Sequence, residues 1–98
     1  MTLPEGITDL TPGKLGSVVT YLEMTERPVP RATTAQPDVT LALHDAPSVE
    51  WYRKLYRLVG DDYLWFSRLV MDDAALAAHL CSDKVQVWSV QKGGADLG

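Results

Sequence analysis

The sequence predicts an α/β (α+β) fold, an incomplete sheet flanked by helices, from three observations. Val39-Thr40-Leu41-Ala42-Leu43-His44 and Lys84-Val85-Gln86-Val87-Trp88-Ser89-Val90-Gln91 have the alternation of strands. Between them Trp51, Leu55, Leu58 and Val59 recur at helical spacing. Lys92-Gly93-Gly94-Ala95-Asp96 has the glycines of a hairpin turn, where positive φ is required. With a further strand upstream, the expected order is strand, strand, helix, helix, strand, turn.

Residues 1–17 read as an N-terminal loop, with turn signals at Pro4-Glu5-Gly6 and Thr11-Pro12-Gly13. Val18-Val19-Thr20-Tyr21-Leu22-Glu23-Met24-Thr25 is rich in β-branched and aromatic residues and is expected to be the first strand. A connection at 26–37 contains Pro28, Pro30 and Pro37 and should be extended without regular structure. Val39–His44 follows as the second strand, with Val39, Leu41 and Leu43 on one face. Ser48 is a suitable N-cap, Glu50 suits the positive end of the helix dipole, and Gly60 is the expected terminator. Tyr63–Val70 is read as short and helical, although its period is ambiguous. Asp72 should cap a helix from Asp73 to Cys81, in which Leu76 and Leu80 are one turn apart.

Val85, Val87 and Ser89 fall on one face of the last strand, and Gln86, Trp88 and Val90 on the other. That pattern suits a buried strand, and unpaired it would expose a hydrophobic edge. The return strand announced by the turn has no sequence to form it. Strand 85–90 is therefore expected to pair with a C-terminal part, a second chain or a homodimer partner.

The chain has 98 residues, 46% hydrophobic and 22% charged, which is the composition of a folded domain. Its net charge of −4 argues against nucleic acid and anionic membrane as partners. Arg53, Lys54 and Arg57 read as a solvated helix face rather than a phosphate site. No apolar run reaches membrane-spanning length and no secretory signal pattern opens the chain, so a cytoplasmic location is expected. Cys81 is the single cysteine, which excludes an intrachain disulfide, and it reads as a small buried hydrophobe.

Six of the eight aromatic residues, Trp51, Tyr52, Tyr56, Tyr63, Trp65 and Phe66, lie within sixteen positions. Filling the space between helix and sheet accounts for part of this cluster. The ring surface exceeds one packing stripe, so Tyr63, Trp65 and Phe66 are candidates for touching a small substrate. Asp61-Asp62 and Asp72-Asp73 stand at helix starts, where capping explains them more simply than shared-proton or metal chemistry. His44 and His79 lie on different elements, with His44 near a strand end. No nucleophile elbow, phosphate loop or metal-ligand motif is present, and no catalytic, cofactor or metal residue is assigned.

Taken together, Val19-Thr20-Tyr21-Leu22-Glu23-Met24-Thr25, Val39–Leu43, the helix Ser48-Val49-Glu50-Trp51-Tyr52-Arg53-Lys54-Leu55-Tyr56, Gly60-Asp61-Asp62-Tyr63-Leu64-Trp65 and Val85-Gln86-Val87-Trp88 resemble the amino-terminal portion of a bacterial GNAT-superfamily N-acetyltransferase. The resemblance covers most of 18–98 and implies the first part of one domain with a mixed, twisted sheet. It also implies transfer of acetyl from acetyl-CoA to an amine acceptor. In that family the CoA pyrophosphate rests on a Gly-rich turn at a helix N-terminus. The Q/R-x-x-G-x-G/A pattern of that turn is not in this sequence, so acetyl-CoA is not expected to bind this chain alone. The family's first helix pair walls the acceptor cleft. That placement implies substrate contacts from Tyr63, Trp65 and Phe66, and also from Trp51 and Tyr52. A different class of reading is a non-catalytic interaction module that dimerises by strand pairing.

Overall fold

The computed structural model describes residues 2–98. Its contacts divide the chain into two units at Ala32/Thr33. The first unit has no helix or strand among its described residues. Its backbone turns at Thr11–Lys14, where the Lys14 N–H donates to the Thr11 carbonyl at 3.1 Å. Val18–Thr25 is not a strand, and Val18, Tyr21 and Leu22 are almost fully exposed. β-propensity describes fit to a pleated, half-buried surface, and without a ladder or a covered face it does not produce a strand. Residues 26–36 are likewise without regular structure.

The second unit is mixed α/β, two helices on a three-stranded antiparallel sheet. Strand β1 (Val39–His44) leads to helix α1 (Val49–Gly60), a single 3-10 turn (Asp61–Tyr63), helix α2 (Asp73–Leu80), strand β2 (Val87–Lys92) and the short strand β3 (Ala95–Asp96). Ser48 caps α1, its hydroxyl accepting from the Trp51 N–H. Asp72 caps α2 in the same way, accepting from the Ala75 N–H at 2.8 Å.

β2 is not a strand without a partner. It pairs along its whole length with β1, from Val39 opposite Lys92 to His44 opposite Val87. It then turns through Gly93 (φ 58°) and Gly94 (φ 79°), and Lys92 faces Ala95 in β3. Two successive left-handed residues make the tight turn whose twist matches antiparallel strands. The expectation of a missing return strand and an unpaired strand 85–90 is thus overturned. The ladder comes from a segment more than forty residues upstream, and alternation within one strand carries no information about so distant a partner.

Two further expectations are corrected. Tyr63–Val70 is not a helix: Leu64 takes a left-handed conformation (φ 58°), which ends the 3-10 turn, and the chain continues through turns to Asp72. Cys81, read as buried, is exposed just beyond the end of α2.

Leu76 and Leu80 of α2 and Val87 of β2 form the core, with Val49, Trp51, Tyr52, Met71 and Val85 packed around them. The helices cover the sheet face that carries Ala42, His44, Val87 and Ser89. The opposite face presents the cross-strand pairs Leu41 with Val90 and Leu43 with Trp88. Leu41, Leu43 and Trp88 are all about half exposed or more. Within the second unit the more apolar face of the sheet is the uncovered one.

Candidate functional site

The close approach of Gly60 and Trp65 builds the site. The Trp65 N–H donates to the Gly60 carbonyl at 3.0 Å, and the indole lies over the buried Gly60. A Cβ added at Gly60 would stand 2.7 Å from Trp65 Cβ and 2.8 Å from its Cε3. Gly60 is therefore required for lack of bulk and not as a left-handed terminator, since its φ is −109°. The turn carries Trp65 back alongside α1. There its ring centroid lies 5.9 Å from that of Tyr56, and Tyr56 stacks at 6.1 Å on Tyr52. The Tyr56 and Ser67 hydroxyls are 3.1 Å apart, which ties the returning segment to the helix.

Arg53 fixes the far end of the same segment. Its guanidinium donates to the Met71 carbonyl at 2.6 Å and pairs with Asp73 at the start of α2. It is not part of a solvated face, whereas Lys54 and Arg57 are exposed.

Tyr52, Tyr56 and Trp65 converge on an open cleft of about 300 Å³ between α1 and the start of β2. Leu55 and Val59 extend its apolar wall, and Val85 to Trp88, His79 and Leu80 of α2, and Gly98 complete the lining. No Lys, Arg, Asp or Glu lines it.

Of the sequence-derived candidates, Tyr52 and Trp65 meet in this cleft. Tyr63 is mostly exposed, its ring 6.3 Å from that of Trp65. Phe66 does not line the cleft but an adjoining depression, with Tyr56, Leu64, Trp65 and Ser67. Trp51 points elsewhere, its ring 4.2 Å from that of His44. Tyr56 belongs to the cleft and was not among the expected contacts. Its position one turn after Tyr52 was the available signal.

Beneath α1 lies a polar network that sequence reasoning did not assemble. The fully buried Ser89 hydroxyl donates to Asp96 Oδ1 at 2.8 Å, with His44 Nε2 also 2.8 Å from Ser89 Oγ. Gln91 Nε2 donates to the same Asp96 oxygen at 2.9 Å, and Trp51 Nε1 to Asp96 Oδ2 at 3.3 Å. The hydrogen bonds from Gln91 and then Ser89 hold the Asp96 carboxyl below its ordinary value of 3.8, with smaller help from Trp51 and the charge of His44.

These are the residue types of a hydrolytic triad in the wrong order. With Asp96 ionised, the single Ser89 proton goes to Asp96, so Ser89 accepts from His44 Nε2–H. A nucleophilic serine instead gives its proton to histidine. Ser89 is also sealed from solvent. The network is a clasp joining β1, β2, β3 and α1.

Among the described residues no group of three or more His, Cys, Asp or Glu side chains could hold a metal ion. No helix among them is long and apolar enough to cross a membrane. In comparisons with protein-family models, curated proteins and solved structures, nothing matches this chain.

Proposed function

We propose that this chain is the acceptor-side portion of a GNAT-like N-acetyltransferase, with the cleft beside α1 receiving an amine. The observation that carries the reading is the convergence of Tyr52, Tyr56 and Trp65 on one open cleft that no Lys, Arg, Asp or Glu lines. Aromatic faces attract an ammonium group electrostatically, and the neighbouring Leu55 and Val59 suit an alkyl chain. The order strand, helix, helix, strand, turn also supports it. Acetyl-CoA is the cosubstrate of the complete family domain, and its Gly-rich cradle is not in this sequence. The role of this chain is to bind and orient the acceptor.

Calorimetric titration with hexylamine and with acetyl-CoA tests this. Hexylamine should bind saturably. Trp65→Ala should weaken it about tenfold, the equivalent of one ring-cation contact. Phe66→Ala should leave it unchanged, because Phe66 lies outside the cleft. Heat saturation by acetyl-CoA in moderate salt, or none by hexylamine, overturns the reading.

A second reading is favoured by the open sheet face of Leu41, Leu43, Trp88 and Val90 together with the unpaired outer edge of β1. It is a non-catalytic module that pairs β1 with another copy. Sedimentation distinguishes the two, since only this reading requires a concentration-dependent dimer.

A further inference from the structure

A second cleft, of about 390 Å³, lies on another face of α1. Its floor is apolar, from Trp51, Leu55 and Leu58. Its rim carries Lys54 and Arg57, with the Asp61 carboxylate one turn beyond Arg57. Asp96 closes one side, but both of its oxygens already accept hydrogen bonds from Ser89, Gln91 and Trp51. Lys54, Arg57 and Asp61 have no such commitments: among the described residues the ion pairs are Arg53 with Asp73 and Lys92 with Asp38.

Two unpaired cations and one unpaired carboxylate therefore surround an apolar floor. A simple anion would meet attraction from Lys54 and Arg57 and repulsion from Asp61 and Asp96. A simple cation would meet the reverse. A ligand carrying both charges on neighbouring atoms satisfies each group, and an apolar body attached to them covers Trp51, Leu55 and Leu58. We propose that this cleft binds a small zwitterion of the α-amino-acid type with an apolar side chain. Its carboxylate lies against Arg57 and Lys54, its ammonium against Asp61, and its side chain on the indole of Trp51. The site adjoins the amine cleft through Leu55 but is lined otherwise by different residues, and it does not depend on the acetyltransferase reading.

Trp51 also provides the readout. Its Nε1–H donates to Asp96 and is one of three indole N–H groups in the chain, assigned by comparison with a Trp51→Phe variant. The probes are L-leucine, L-leucinamide, which lacks the carboxylate, and 4-methylpentanoate, which lacks the ammonium. L-Leucine should move the Trp51 indole resonance saturably, and each analogue should bind at least about tenfold more weakly, as loss of one charge-assisted contact requires. Arg57→Gln and Asp61→Asn alter exposed side chains, and their amide spectra report whether folding is kept. Each should weaken L-leucine by a similar factor. Absence of a saturable Trp51 shift, equal binding of 4-methylpentanoate and L-leucine, or unaltered L-leucine binding in both variants overturns the proposal.

Discussion

At Gly60 the absence of a side chain is what allows the site to exist. The Trp65 indole occupies the space a Cβ would need, and the contacts lie under 3 Å. Gly60→Ala should therefore destabilise the protein by about 1–3 kcal/mol, the usual cost of overpacking. It should also displace Trp65 from Tyr56. A thermal melt read alongside the Trp65 indole resonance checks this; an unshifted indole at unchanged stability contradicts it. A glycine at that place was legible in the sequence, but not its reason, because Trp65 returns to it through a turn set by a left-handed Leu64.

Asp96 makes a second prediction at the same scale. Its folded pKa is depressed, so the stabilisation it supplies is complete above its ordinary value of 3.8 and is lost as pH falls through the lower folded value. Asp96→Asn should be less stable than the parent near neutrality, and the gap should narrow on going from about pH 6 to about pH 2. Urea melts across that range measure it, and a gap independent of pH would assign the effect to packing. Ser89→Ala leaves His44 and Asp96 short of a partner and should cost about 1–3 kcal/mol. The sequence placed Val85, Val87 and Ser89 on one face, but nothing local connected Ser89 to His44 and Asp96, which meet only through sheet register.

At the scale of elements, the helices were the most legible parts. Ser48 and Asp72 announce α1 and α2, and both act as predicted through side-chain caps. Cap chemistry is contained within four residues, so a sequence can state it completely. Ser48→Ala should cost about 1 kcal/mol, with α1 fraying from Val49. The Gly93-Gly94 turn is equally local. Gly94→Val should destabilise by about 1–2 kcal/mol, because a branched side chain is strained at positive φ, whereas Gly93→Asn should be nearly neutral. Denaturant midpoints of the two variants decide the matter, and equal midpoints would contradict the turn's backbone.

Strands were less legible than helices. Val39–His44 was recognised and the expected strand 85–90 overlaps β2 at Val87–Val90, but their mutual ladder was not foreseen, and Val18–Thr25 has strand composition without becoming one. Composition records what a segment can tolerate; a strand exists only where another segment supplies hydrogen bonds. Tyr63–Val70 failed for a related reason: an aromatic run supports several periods, and the left-handed Leu64 settles it as turns.

Across the second unit, hydrophobicity and burial diverge in a way that alternation does not reveal. Alternation assigned Val39, Leu41 and Leu43 to one face correctly, yet the helices cover the other, where Ser89 and His44 take part in the Asp96 clasp. The clasp ties three strands to α1, and α1 in turn divides the surface into two clefts that share Leu55. The sequence pointed to the aromatic region and to Tyr52 and Trp65 within it. It could not separate them from Tyr63 and Phe66, because exposure is decided by where the turn after Gly60 sends each ring.

The central claim is that the cleft of Tyr52, Tyr56 and Trp65 recognises an amine by its charge as well as its alkyl chain. Two-dimensional NMR of the indole N–H groups during titration with hexylammonium, against hexanol as the uncharged control, addresses it most directly. Of the three tryptophans, Trp65 and Trp88 line this cleft and Trp51 does not, so the Trp51 indole is the internal control. The account predicts a saturable shift of the Trp65 resonance with hexylammonium, a much weaker response to hexanol, and a Trp51 resonance that stays in place. Equal responses to the two ligands, or a shift confined to Trp51, would contradict it.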